Sequence, residues 1–212
     1  VRVIPIIIGA TLLVTGCSTA IAGKAQPDPA ADFVPSAADR DPSKRIPGVV
    51  TEKAEGVHVL PGQRVAYDHL PPFGGKHDPV WAACNGAVYA KAVRTEHMVH
   101  ALEHGAVWIA YNPDQVSGGA LDQLKARVDG KPYMLLSPYP GLDKPVSLQS
   151  WEHQLKVDTV DDPRIGQFIV ALRTNPNTYF EVGAPCDSPQ FDIDNPPPFD
   201  PAPPGADAVP PK

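Results

Sequence analysis

Between Thr95 and Gly105 the chain places four side chains with ligand chemistry close together: His97, His100, Glu103 and His104. Residues three, four and seven apart share one face of an α-helix, so His97, His100 and His104 are expected to point the same way, with Glu103 beside His100. Neutral imidazole is the commonest donor to transition metals, and several donors on one rigid helix reduce the entropy lost in assembling a site. The segment therefore reads as half of a metal site, with His100, His104 and Glu103 as its core and His97, near the helix start, as its most dispensable member. The missing donors must come from elsewhere. His77, in the loop GGKHDP, is the first candidate; His153 follows, and His58 and His69 are weaker. The competing reading is structural, because buried histidines commonly donate to backbone carbonyls and serve packing alone.

The donor set suits one copper or zinc ion. Copper binds most tightly in the divalent series and thioethers favour its reduced form, whereas His/Glu sets equally suit zinc. Met98 and Met134 are the only methionines. Met98 follows His97 directly and so points to another helix face, and both are expected in the core. His100-Ala-Leu-Glu103-His104 also matches H-x-x-E-H, in which two histidines bind zinc and the glutamate polarises water. A hydrolase would need a downstream ligand, for which Glu152 or Glu181 could serve, and a substrate cleft that a domain of this size struggles to build.

These residues need elements to hold them. Thr95 is a plausible N-cap for the histidine helix and Gly105 its stop. AVWIAY (106–111) reads as a buried strand, Pro113 to Val128 as an amphipathic helix weakened by Gly118-Gly119, and YMLL as a strand bounded by Pro132. VSLQSWEHQLKV (146–157) reads as one long strand, and PRIGQFIVALR (163–173) as a terminal helix with proline near its first position. Short helices and strands alternate irregularly. The expected fold is α+β: a small single domain with a central, mainly antiparallel sheet and short helices, flanked by disordered tails.

Composition sets the boundaries. The chain has 212 residues, of which 27 are proline, too many for all of it to be packed core. Formal net charge is -6 without a basic run, which argues against nucleic acid as a partner. Behind Arg2 lies VIPIIIGATLLVT, too short for a comfortable membrane span and followed by Gly16 and Cys17. Residues 1–16 thus read as a lipoprotein signal peptide, with Cys17 as the acylated new N-terminus. Residues 17–56 read as a flexible tether, 57–186 as the globular domain and 187–212 as a Pro-rich disordered tail. The membrane, reached through the lipid anchor, is then the first partner and other envelope proteins are candidates for the second. Cys84 and Cys186 remain, in an exported setting that permits disulfides, and are expected to be bonded to each other. No phosphate loop, dinucleotide fingerprint or nucleophile elbow is present, so no cofactor other than a metal is expected.

Three segments in combination, YDHLPPFGGKHDPVW, VHALEHGAVWIAYNPD and SPYPGLDKPVSLQSW, resemble the domain of unknown function family 3105, found in actinobacterial envelope proteins. The resemblance covers about residues 65 to 186. Its pattern has the form PP-x-S-G-x-H followed by V-H-x-L-E-H-G, so His77, His100, Glu103 and His104 fall on motif positions, Gly74 replaces a usual serine, and His97 lies outside. The resemblance implies an exported, often membrane-attached protein and supplies no reaction. Two alternatives stand beside a metal-binding lipoprotein: a non-catalytic interaction lipoprotein with structural histidines, which uses Trp81, Tyr139 and the tail to hold a partner, and a small zinc metallohydrolase.

Overall fold

A computed structural model describes residues 28–212. The expected signal peptide and Cys17 lie outside the described residues. Nine elements follow in chain order: β1 (Val50–Thr51), β2 (Asn85–Val88), α1 (Thr95–Glu103), β3 (Val107–Tyr111), α2 (Gly118–Val128), β4 (Met134–Pro138), β5 (Val146–Ser150), β6 (His153–Val157) and α3 (Pro163–Leu172), preceded by single 3-10 turns at Ala31–Phe33 and Pro42–Arg45. The strands form one sheet in the order β1-β6-β5-β3-β4-β2. Pairings from β1 through β6 and β5 to β3 are antiparallel, and those of β4 with β3 and β2 are parallel. The expected α+β domain with a mainly antiparallel sheet is therefore present, as a mixed sheet with three helices.

Side-chain alternation explains the layering. Val107, Ile109 and Tyr111 of β3 join Met134, Leu136, Leu148 and Leu155 under α2 and α3, where Leu124, Val128, Ile165, Phe168 and Leu172 close that face. Trp108, Ala110 and Leu135 project to the opposite face and pack against Met98, Val99, Ala101 and Leu102 of α1. Both faces of β3 and β4 are thus buried, as expected of continuous apolar runs in the parallel part of a sheet. Helix α1 ends in a Schellman arrangement: Gly105 N donates to Leu102 O, and Ala106 N to Ala101 O. Gly105 has φ +89°, and a Cβ there would lie 2.6 Å from the Tyr179 ring, so glycine both stops the helix and admits that ring. Among the described residues, no helix is long and apolar enough to cross a membrane.

Several local expectations need correction. The long strand at 146–157 is a hairpin, β5 and β6, turning at Trp151 and Glu152. Glu152 adopts φ +63° without glycine, held by its N donating to Phe73 O and its carboxylate accepting from Ala54 N and Lys53 Nζ. Those partners lie far away in sequence, so no local turn signal marks the position. Helix α2 begins at Gly118 rather than Pro113, and α1 takes Thr95 as its first residue with Arg94 at the N-cap.

The flanks also differ from free tether and tail. Ile46 is buried in the core and Asn175 Nδ2 donates to Arg40 O, so packing starts well before residue 57. Residues 187–212 lie along the domain: Phe191 packs edge-on against Tyr89 and His97, and Phe199 against Tyr139. Backbone bonds fix this segment, from Arg94 N to Pro197 O, Ala66 N to Val209 O and Lys76 N to Pro211 O. Proline does favour an extended chain here, but the two phenylalanines give that chain apolar surface to bury.

Cys84 and Cys186 form the expected disulfide, buried and spanning a sequence separation of 102. Closing a loop of that length stabilises the native state by about 5 kcal/mol on the chain-entropy account. The double variant Cys84→Ala, Cys186→Ala should therefore unfold at clearly lower denaturant, with a loss near that figure. A midpoint equal to that of the oxidised chain would contradict this.

Candidate metal centre

Helix α1 turns its apolar residues to the sheet, and three loops cover its histidine face. The first two pair side by side: His77 N donates to Val57 O and Val59 N to His77 O, which sets His58 next to His77. The third, 181–187, is tied down where Glu181 N donates to Glu103 O, and the disulfide fixes its far end. Glu103 reaches into this junction because residue 56 is glycine. A Cβ on Gly56 would stand 1.9 Å from Glu103 Oε1.

Three rings converge under the same constraint. His77 Nδ1 lies 2.8 Å from Gly75 O, His100 Nδ1 2.7 Å from Asp78 O, and His104 Nδ1 2.8 Å from Pro185 O. A carbonyl oxygen only accepts, so Nδ1 carries the hydrogen in each ring, and in neutral imidazole Nε2 holds the lone pair. This is the support that metal-binding histidines ordinarily have. Burial first, and then the neighbouring His77, His104 and His58, push the His100 pKa down to about 4 against the favourable Asp78 carbonyl, so His100 is a neutral donor at neutral pH. The Glu103 carboxyl sits below its usual range: burial raises it, but the facing His77 and the other rings more than offset that.

His77 Nε2 lies 3.0 Å from Glu103 Oε2, yet it has no aligned hydrogen-bond partner and is fully buried. A buried imidazole nitrogen therefore stands against a buried carboxylate oxygen, a pair that takes a cation, whether proton or metal ion, between its two atoms. Two donor sets result, each with all ligand atoms within 4.8 Å of one another: His58, His77, His100 and Glu103; and His100, His104 and Glu181. Either set could hold a metal ion. Trp81 caps the second, its ring centroid 4.8 Å from that of His104 and 5.5 Å from that of His100.

All four of the sequence-derived candidates, His77, His100, Glu103 and His104, come together here. His58 joins them although its sequence neighbourhood gave it little weight; its signal is the extended pairing with the GGKHDP loop, which becomes visible only in three dimensions. Glu181, considered only as a downstream carboxylate, also joins, whereas Glu152 is committed to Lys53 and Ala54. His97 shares the helix but not the site: its Nδ1 donates to Val80 O and its Nε2 faces Arg94 Nη1 at 3.4 Å, where a guanidinium takes the place of any metal. His153 pairs with Asp41 and His69 with Glu52, both away from the cluster. Met98 and Met134 lie in the core.

A family model described as "Protein of unknown function (DUF3105)" matches residues 58–188, a span that includes all six donors. No curated protein and no solved structure matches the chain.

In metal-free protein at neutral pH, side-chain ¹⁵N spectra should show His100 as the Nδ1–H tautomer, as the Asp78 carbonyl requires. An Nε2–H tautomer at His100 would contradict the donor arrangement.

Proposed function

The chain belongs to the DUF3105 family, and from that premise we propose that it is a lipid-anchored cell-envelope protein that binds a divalent transition-metal ion, copper or zinc, through His77, His100 and Glu103, with His58 and His104 flanking them. The observation that carries the reading is the buried, unpartnered Nε2 of His77 facing the Glu103 carboxylate. Imidazole and carboxylate donors without a nearby thioether suit Zn(II) and Cu(II) better than Cu(I). Glu103 Oε2 lies 3.0 Å from His77 Nε2 inside the donor set, which supports a ligand's role for it, and so binding over hydrolysis, in the H-x-x-E-H segment. The anchor rests on the apolar run before Cys17.

The isosteric change Glu103→Gln separates these readings. It removes a charged ligand from the site and should weaken zinc binding by about a hundredfold or more, with circular dichroism unchanged. His100→Ala should abolish binding at the inner set. Wild-type affinity in both variants would leave the histidines as packing residues and turn attention to protein partners. Cys17→Ala should move the protein from the membrane fraction to the soluble fraction of the producing bacterium. Continued membrane association would contradict the lipid anchor.

A further inference from the structure

His100 belongs to both donor sets but has only one nitrogen to give. Its Nδ1 is committed to the Asp78 carbonyl, and a neutral imidazole nitrogen binds one ion, so His100 cannot serve both sets at once. The two sets also stay separate, because only within each do the ligand atoms all lie inside 4.8 Å. One ion therefore does not gather all six side chains.

The outer set has a histidine–carboxylate pair of its own. The His104 side chain is only 3% exposed, its Nδ1 donates to Pro185 O, and its Nε2 stands 3.0 Å from Glu181 Oε2. These two atoms and one from His100 all lie within 4.8 Å of one another. A metal ion held between His77 and Glu103 does not lie between His104 and Glu181, so the second pair is a separate place for one. Resting on the metal reading above, we propose that His104 and Glu181 bind a second divalent transition-metal ion, making the centre dinuclear.

With His100 kept on the inner ion, that ion has His58, His77, His100 and Glu103, and the outer ion has His104 and Glu181. One imidazole and one carboxylate leave the outer ion open positions, the pattern of sites that take an exogenous ligand rather than of closed structural sites. Glu181, 47% exposed, and His58, on the surface, give that ligand access from solvent. The ligand class that two neighbouring divalent ions bind best is an oxygen donor, from water or hydroxide to an anionic oxyacid.

Glu181→Ala is the discriminating variant. The only ion pair of Glu181 among the described residues is with His104, so its removal leaves the core packing in place. Tag-free full chain, dialysed to equilibrium against Zn(II) and analysed for bound metal, should carry two equivalents, and Glu181→Ala should carry one. One equivalent in the wild type, unchanged by Glu181→Ala, would overturn the second ion and leave the single-ion reading standing. Two equivalents that persist in Glu181→Ala would place the second ion elsewhere and also overturn the inference. No bound zinc in the wild type would overturn both readings.

Discussion

The site depends on one interaction repeated three times: a histidine Nδ1–H donated to a backbone carbonyl. The carbonyls of Gly75, Asp78 and Pro185 each fix a tautomer and turn an Nε2 inward. Rings that only needed satisfying could have taken one such bond and turned their other nitrogen to water or a donor. His97 shows that outcome, with a carbonyl on one side and Arg94 on the other. At His77 and His104 the second nitrogen meets a carboxylate, as it also does where His153 meets Asp41, and what marks the cluster is that several such donors converge and that His77 Nε2 is buried without an aligned partner.

Much of the remaining architecture holds those three carbonyls still. Asp78 is clamped by Arg94 Nη1 and by the amides of Gly62 and Val80, so the carbonyl that orients His100 belongs to a fully bonded loop. Burial raises the Asp78 carboxyl, but these partners outweigh it and keep it below its usual range, charged whenever the protein is near neutral pH. Pro185 immediately precedes the disulfide cysteine, and Asp187 immediately after it accepts from Trp81 Nε1. The Cys84–Cys186 bond thus positions both the carbonyl that aims His104 and the indole that covers it. The C-terminal segment contributes at the third point, where Pro211 O accepts from Lys76 N next to His77.

The fold class and the core of the site were legible in the sequence because they rest on local pattern. The apolar runs of β3 and β4, the proline at the start of α3 and Gly105 after α1 each mark their elements within a few residues, and the i, i+4 spacing puts His100 and His104 on one helix face. The features that were not legible depend on distant partners. The β5–β6 turn has no glycine because Phe73 and Ala54 hold Glu152 in place. The proline-rich end reads as free chain until Phe191 and Phe199 find Tyr89, His97 and Tyr139. His58 and Glu181 enter the site on loops whose positions follow from strand-like pairing and from the disulfide, and neither leaves a mark at the level of spacing.

The most direct test of the central claim is anomalous diffraction at the zinc edge from crystals of the metal-loaded protein. A peak bonded to the Nε2 atoms of His77 or His100 and to the Glu103 carboxylate, with all three Nδ1 bonds to carbonyls preserved, is the expected result. Zinc found only at surface pairs such as His69 with Glu52, with the buried rings of His77 and His100 bound to no metal, would contradict it.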